Sequence, residues 1–203
     1  MTVLVRADAG ASPRRAVLWF HGFNADAETH RPELERFARA GFDAYGVDAV
    51  GHGSRRWPDL EERVAAPREE AKRTMLEIAD ATAAEVPGLV DGLLAEGVES
   101  VSVVGVSMGG YVVYRALLLE PRLHAAVAIL GSPEGLDFDR FAGLRLLSIT
   151  AERDENVPPD TARALHAYLG NTATNYLELE GVQHLLDAES WERAIATAIR
   201  WIS

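Results

Sequence analysis

The sequence predicts an α/β fold, with a mostly parallel, twisted sheet of about six or seven strands and helices on both faces. Three observations carry this. Short runs rich in β-branched residues alternate with longer stretches of helical periodicity. Several of the short runs are apolar throughout, as strands covered on both faces are. One of them passes directly into a helix through a glycine-flanked serine, Ser107.

Taken in order, Thr2–Arg6 reads as an edge strand and Ala16–Phe20 as the first central one. A helix over Pro32–Ala40 and a strand over Ala44–Val47 follow. Arg68–Glu96 is helical in pattern but contains Pro87. Proline lacks a backbone donor and its ring obstructs the preceding turn, so the helix should kink near Ala83–Val86 or split. The strand Val101–Val106 leads into the helix Met108–Leu119. Strands Ala125–Leu130 and Leu144–Thr150, a helix Asp160–Leu169 and a strand Tyr176–Leu179 come next. The last helix, Ser190–Ile202, places Trp191, Ile195, Ile199 and Ile202 on one face. No repeat or linker interrupts the pattern, so a single domain over residues 1–203 is expected.

Composition narrows the function. With 203 residues the chain buries enough surface to need no metal or disulfide staple. The absence of cysteine excludes a disulfide framework, a thiolate nucleophile and a cysteine zinc site. A net charge of −11 repels a phosphate backbone, so nucleic acid is not an expected partner. The N-terminal residues show neither the basic start nor the apolar stretch of a signal peptide, and no apolar run is long enough to span a bilayer. A cytoplasmic protein with no membrane partner is expected.

The chemistry is concentrated in Gly105-Val106-Ser107-Met108-Gly109, at the junction of a β-branched strand and an amphipathic helix. A serine on so tight a strand-to-helix turn takes strained backbone angles that lift its hydroxyl above the sheet edge. Large side chains two residues before or after would collide; Gly105 and Gly109 remove the collision. The helix then begins beneath the serine, so its N-terminal N–H groups face the site and the Met108 N–H can bind a developing oxyanion. The segment is neither a G-x-G-x-x-G turn nor a phosphate loop ending in Gly-Lys-Ser/Thr.

Upstream, Val17-Leu18-Trp19-Phe20-His21-Gly22-Phe23-Asn24 is an apolar strand ending in His-Gly. With this segment the sequence resembles the α/β-hydrolase superfamily, and within it the small lidless serine esterases and the dienelactone-hydrolase-like branch. The resemblance implies a second oxyanion donor from this loop, matched here by the Phe23 N–H, with Gly22 letting the backbone approach the substrate. Asp48-Ala-Val-Gly-His-Gly-Ser-Arg resembles the superfamily's Asp-x-x-Gly-x-Gly segment. Asp48 and His52 are expected to hold loop backbone rather than to catalyse.

A serine hydroxyl needs a base within hydrogen-bond reach, and the base needs a carboxylate to hold its tautomer. In this fold the chain order is serine, acid, histidine. Of the downstream histidines, His124 precedes a strand, at the wrong end of the sheet, and His166 lies within a helix. His184, in Glu180-Gly-Val-Gln-His-Leu-Leu-Asp, lies where a loop leaves the last strand and is the expected base. For the acid, Leu147-Ser-Ile-Thr-Ala-Glu-Arg-Asp-Glu-Asn-Val-Pro-Pro resembles the superfamily's Gly-x-x-Asp-x-x-Val-Pro segment, with Ala151 in place of the glycine. The match implies Asp154, with Glu152 and Glu155 as nearby rivals; Asp187 is expected to start the last helix.

The connection between Leu130 and Leu144 is too short for a multi-helix lid, so the site should be open. Phe23, Ser54–Pro58, Phe138 and Phe141 either rim it or plug the core, and Arg55 and Arg56 either meet a substrate carboxylate or face solvent. Serine at the nucleophile position disfavours the cysteine chemistry of true dienelactone hydrolases and the aspartate chemistry of dehalogenases and epoxide hydrolases. The expected activity is hydrolysis of small carboxylic esters through an acyl-enzyme, with a small acyl ester as the binding partner and no cofactor or metal. A thioesterase, an acyltransferase or a carbon–carbon hydrolase could use the same triad, and a non-catalytic ligand receptor could use the same fold.

Overall fold

The computed structural model describes residues 4–7, 10, 14–170 and 174–203. Seven strands form one sheet: β1 (Leu4–Ala7), β2 (Arg15–Phe20), β3 (Phe42–Val47), β4 (Ser100–Val106), β5 (Ala125–Ile129), β6 (Leu146–Ala151) and β7 (Thr174–Leu179). Their spatial order is β1-β3-β2-β4-β5-β6-β7, with β1 antiparallel to β3 and every other pair parallel. The expected edge strand is therefore present, at Leu4–Ala7; residues 1–3 lie outside the described residues. The central strands agree with the sequence reading to within two residues at each end.

The helices are α1 (Arg31–Arg39), α2 (Leu60–Val64), α3 (Arg68–Ala83), α4 (Val86–Ala95), α5 (Met108–Leu119), α6 (Asp160–Leu169) and α7 (Ala188–Ile202). The long middle helix splits rather than kinks. Pro87 sits in the first turn of α4, where its missing N–H would have no partner inside the helix in any case. Asp187 caps α7 by accepting a hydrogen bond from the Ser190 N–H at 2.7 Å, the role expected of it. The five-residue helix α2 was not legible as a helix: it is too short to show a period. Among the described residues, no helix is long and apolar enough to cross a membrane.

The strands are apolar on both faces because each face carries its own core. Leu18, Phe20, Val101 and Val103 pack against Ala79, Ala83, Val90, Val113 and Leu165 from α3 to α6. Val17, Trp19, Val104 and Val127 pack against Leu34 and Phe37 of α1 and Ala194, Ile195 and Ile202 of α7. A fully buried side chain of this size stabilises the fold by roughly 1.5–3 kcal/mol. The β5–β6 connection contains only a short 3-10 turn, Phe138–Phe141, and no lid. Phe141 is a core plug, edge-on to Tyr114 with ring centres 6.0 Å apart, and Phe138 stacks at a tilt on Tyr168.

Parallel pairing carries function into the fold. Phe20 pairs with Val47 and Gly105, Val106 with Ile129, Ile129 with Ile149, and Ala151 with Leu179. The loops after β2 to β7 consequently leave the sheet at one edge, where ligands bind in open α/β sheets.

Candidate active site

Ser107 stands between β4 and α5 with φ 55° and ψ −115°, a conformation that L side chains rarely adopt. Its N–H donates to the Ile129 carbonyl at 2.8 Å, and its own carbonyl accepts from the Gly110 N–H at 2.8 Å. Those bonds over-determine a turn that would otherwise relax. The glycines are needed as the sequence suggested. A Cβ on Gly105 would strike the backbone of Gly109, and one on Gly109 would strike the carbonyl of Phe20. Gly110 was not singled out from sequence, yet a Cβ there would press on the Cα of Gly131 at 2.7 Å. Leu130, one strand over, is the other non-glycine residue at positive φ among the described residues (51°).

The three expected side chains meet. Ser107 Oγ lies 2.9 Å from His184 Nε2, and His184 Nδ1 lies 2.7 Å from Asp154 Oδ2. Asp154 Oδ1 accepts from the N–H groups of Asn156 (2.9 Å) and Val157 (2.8 Å), so the carboxylate is held from both sides. A carboxylate only accepts, so Nδ1 carries the imidazole proton and Nε2 turns its lone pair to Ser107. The Asp154 side chain is 1% exposed and that of His184 16%: the carboxylate is sealed, the imidazole reachable. The neighbouring carboxylates are placed otherwise. Glu152 accepts from the Gly181 N–H at 2.6 Å, and Arg153 N–H donates to the Val182 carbonyl at 2.8 Å. These two bonds stitch the loop of the acid to the loop of the histidine. Sequence reading weighed Glu152 only as a rival acid.

The β2 loop is held by two histidines. His21 Nε2 accepts from the Ala49 N–H at 2.9 Å, which leaves Nδ1–H to donate to the Gly22 carbonyl at 2.7 Å. Burial pushes its pKa down to about 4, so it stays neutral. His52 places Nε2 2.7 Å from the Phe23 carbonyl and Nδ1 3.0 Å from the Val50 carbonyl. Asp48 accepts from the N–H groups of Ala27 (3.0 Å) and Ser54 (2.9 Å). Both residues thus hold loop backbone. A Cβ on Gly22 would rest on the Ser107 Cβ at 3.7 Å, so the glycine leaves open the space directly beside Ser107. Met108 opens α5, where an N–H has no acceptor within its helix.

The remaining candidates fall outside the site. His166 Nε2 bonds Ser148 Oγ at 2.7 Å, and burial lowers its pKa to about 4. His124 lies against Arg145 just before β5. Arg55 forks onto Glu85 (2.8 Å to each oxygen) and donates to the Asp48 carbonyl at 2.7 Å, so it clamps the loop to the start of α4 rather than facing a ligand. Arg56 pairs with Glu61 at 2.9 Å.

A family described as serine aminopeptidase, S33, matches residues 11–136. The chain belongs to this family of α/β hydrolases. The match covers the β2 loop and Ser107 and ends before Asp154 and His184. Among curated proteins the sequence finds no match. Solved structures share the fold of this S33-family chain over nearly its whole length. TT1662 from Thermus thermophilus is 21% identical over 98% of this chain and 93% of its own, with a TM-score of 0.71. A monoacylglycerol lipase from Paleococcus ferrophilus is 19% identical over 100% and 98%, with a TM-score of 0.70. The esterase PE8 is 20% identical over 100% and 98%, with a TM-score of 0.72.

Proposed function

We propose that this S33-family chain is a serine esterase that cleaves small carboxylic esters by two-step acyl transfer. The observation that carries the reading is the unbroken line Asp154–His184–Ser107, at 2.7 and 2.9 Å, with the tautomer a general base requires. His184 Nε2 takes the proton of Ser107 as Oγ attacks the carbonyl carbon. The oxyanion formed accepts from the N–H groups of Phe23 and Met108. Collapse breaks the carbon–oxygen bond, and the leaving alcohol receives the proton from His184. Water then attacks the acyl-enzyme, gives a proton to His184 and, as the second tetrahedral species collapses, frees the acid while Ser107 recovers its proton. Asp154 stabilises the imidazolium in both steps. Each oxyanion donor in such a pair contributes about 3–4 kcal/mol.

The test combines a fluorophosphonate probe with turnover of p-nitrophenyl esters, acyl-thioesters and aminoacyl p-nitroanilides. The anilides are included because the family's description names a peptidase. Labelling of Ser107 and fastest turnover of the esters are expected. Failure of the folded protein to label overturns the serine mechanism. Turnover of thioesters or anilides without turnover of esters keeps the triad and replaces the substrate class.

A further inference from the structure

We propose that Glu152 is a positioning residue: its carboxylate fixes the turn where the chain leaves β7, and so holds His184 within hydrogen-bond reach of Ser107. This rests on the serine-hydrolase reading above and adds to it a residue that acts only through His184.

The need for such a tie follows from the topology. β6 and β7 stay paired as far as Ala151 and Leu179, and the Glu152 N–H adds one more bond, to the Leu179 carbonyl at 3.0 Å. Beyond that point the two chains part. The β6 loop leads to α6, whose Leu165 packs in the core on one face of the sheet. The β7 loop leads to α7, whose Ala194 and Ile195 pack in the core on the other face. Asp154 and His184 both lie past the divergence, so the sheet ladder does not hold them together.

Among the described residues, two hydrogen bonds besides the one between Asp154 and His184 join these loops. One runs between backbones, from the Arg153 N–H to the Val182 carbonyl at 2.8 Å. The other is the 2.6 Å bond from the Gly181 N–H to Glu152 Oε2, and it alone depends on a tying side chain. An ionised acceptor makes such a bond short and strong. Gly181 takes φ 71° as the chain turns out of β7, so the carboxylate grips the turn itself. From Val182 the chain runs to Asp187, the cap of α7. Between them, no backbone group of residues 183–186 forms a hydrogen bond among the described residues. His184 is thus placed by the two ends of this span and by its own bond to Asp154. A shift of about 1 Å in a reacting group can lower a rate about a hundredfold. Losing Glu152 frees one end only in part, because the Arg153 bond persists, so about tenfold is expected.

The experiment compares the parent with Glu152→Ala, Glu152→Gln and Glu155→Ala. It measures the rate constant for fluorophosphonate labelling of Ser107, kcat/KM for p-nitrophenyl butyrate, and the urea unfolding midpoint. Labelling needs His184 to take the Ser107 proton but does not depend on the substrate class, so it reads the position of the base directly. In Glu152→Ala both rates should fall together by about tenfold or more. The urea midpoint should stay near the parent's, because Glu152 and Gly181 are exposed and water can replace the carboxylate. Glu152→Gln should recover most of both rates, since its amide oxygen can still accept from the Gly181 N–H. Glu155→Ala, which removes the same charge from the other side of Asp154, should match the parent. Rates in Glu152→Ala within about threefold of the parent overturn the assignment while leaving the serine hydrolase standing. So does an equal loss in Glu152→Gln or in Glu155→Ala, which would make charge rather than the tie responsible. A parent that neither labels nor turns over any ester overturns both readings together.

Discussion

Replacing Asp154 by Asn tests the triad with the smallest change of shape. The Asn oxygen can still accept from the N–H groups of Asn156 and Val157, as Asp154 Oδ1 does at 2.9 and 2.8 Å. Its amide nitrogen then faces His184 Nδ1, where Oδ2 stood at 2.7 Å. A donor there turns Nδ1 into an acceptor and moves the ring proton to Nε2. That proton points at Ser107, and the base loses the lone pair it needs. The charge is lost as well. A carboxylate about 4 Å from an imidazolium, at an effective dielectric constant near 20, stabilises it by about 4 kcal/mol. That alone is a factor of about a thousand in rate. With the wrong tautomer added, kcat should fall by about 10⁴, the scale seen when a triad aspartate becomes asparagine in other enzymes. The assay is p-nitrophenyl butyrate hydrolysis at pH 7.5, alongside urea unfolding. Stability should change by no more than about 1–2 kcal/mol, since the backbone bonds persist. Activity within about tenfold of the parent would refute the assignment of the acid, and so would a larger loss in Glu152→Gln.

The strained turn at Ser107 sets up a trade of stability against activity: Ser107→Gly should be inactive yet more stable than Ser107→Ala by about 1 kcal/mol, because glycine adopts φ 55° without strain. Equal urea midpoints would show that the turn stores no strain. Gly109→Ala, whose methyl would strike the Phe20 carbonyl, should cost more than about 3 kcal/mol or abolish soluble expression, and an unfolding curve like the parent's would contradict the packing of the turn. Stability should also fall as the pH drops. His21 and His166, lowered from 6.5 to about 4 by burial, stay neutral when folded, whereas the unfolded chain protonates them near 6.5. Between those values the unfolded state binds more protons, so stability declines from pH 6.5 toward 4 and this contribution then levels off. For His21 the loss is about 3 kcal/mol. Equal unfolding free energies at pH 7 and pH 5 would contradict it, and His166→Gln should make the decline shallower.

Much of this was legible because it is local. A run such as Val101–Val106 has apolar residues on both faces, and only a central parallel strand buries both. Gly105 records a collision with the backbone of Gly109, four residues on, so the turn could be read before the fold was known, whereas Gly109 also answers to the Phe20 carbonyl on a neighbouring strand. Pro87 marked the break between α3 and α4 for the same reason: the missing donor is a property of the residue itself. The role of Gly110 was not legible, because the atom it would strike belongs to Gly131, in the connection just past β5. Nor was α2, since five residues are too few to display a helical period.

What the sequence by itself determined is the architecture and which side chains the candidate site brings together: an alternating α/β pattern, a serine on a glycine-flanked turn, and a downstream aspartate and histidine at strand ends. What only the tertiary structure decided is where each polar group spends its hydrogen bonds. Arg55 became a clamp on Glu85, His52 a brace on the Phe23 carbonyl, and Glu152 a tie to Gly181. Each partner is about 30 residues away in the chain, and no local pattern encodes such a distance. Burial likewise separated Phe141 in the core from the partly buried Phe23, tilted against the His52 ring, two phenylalanines with no difference to read in one dimension.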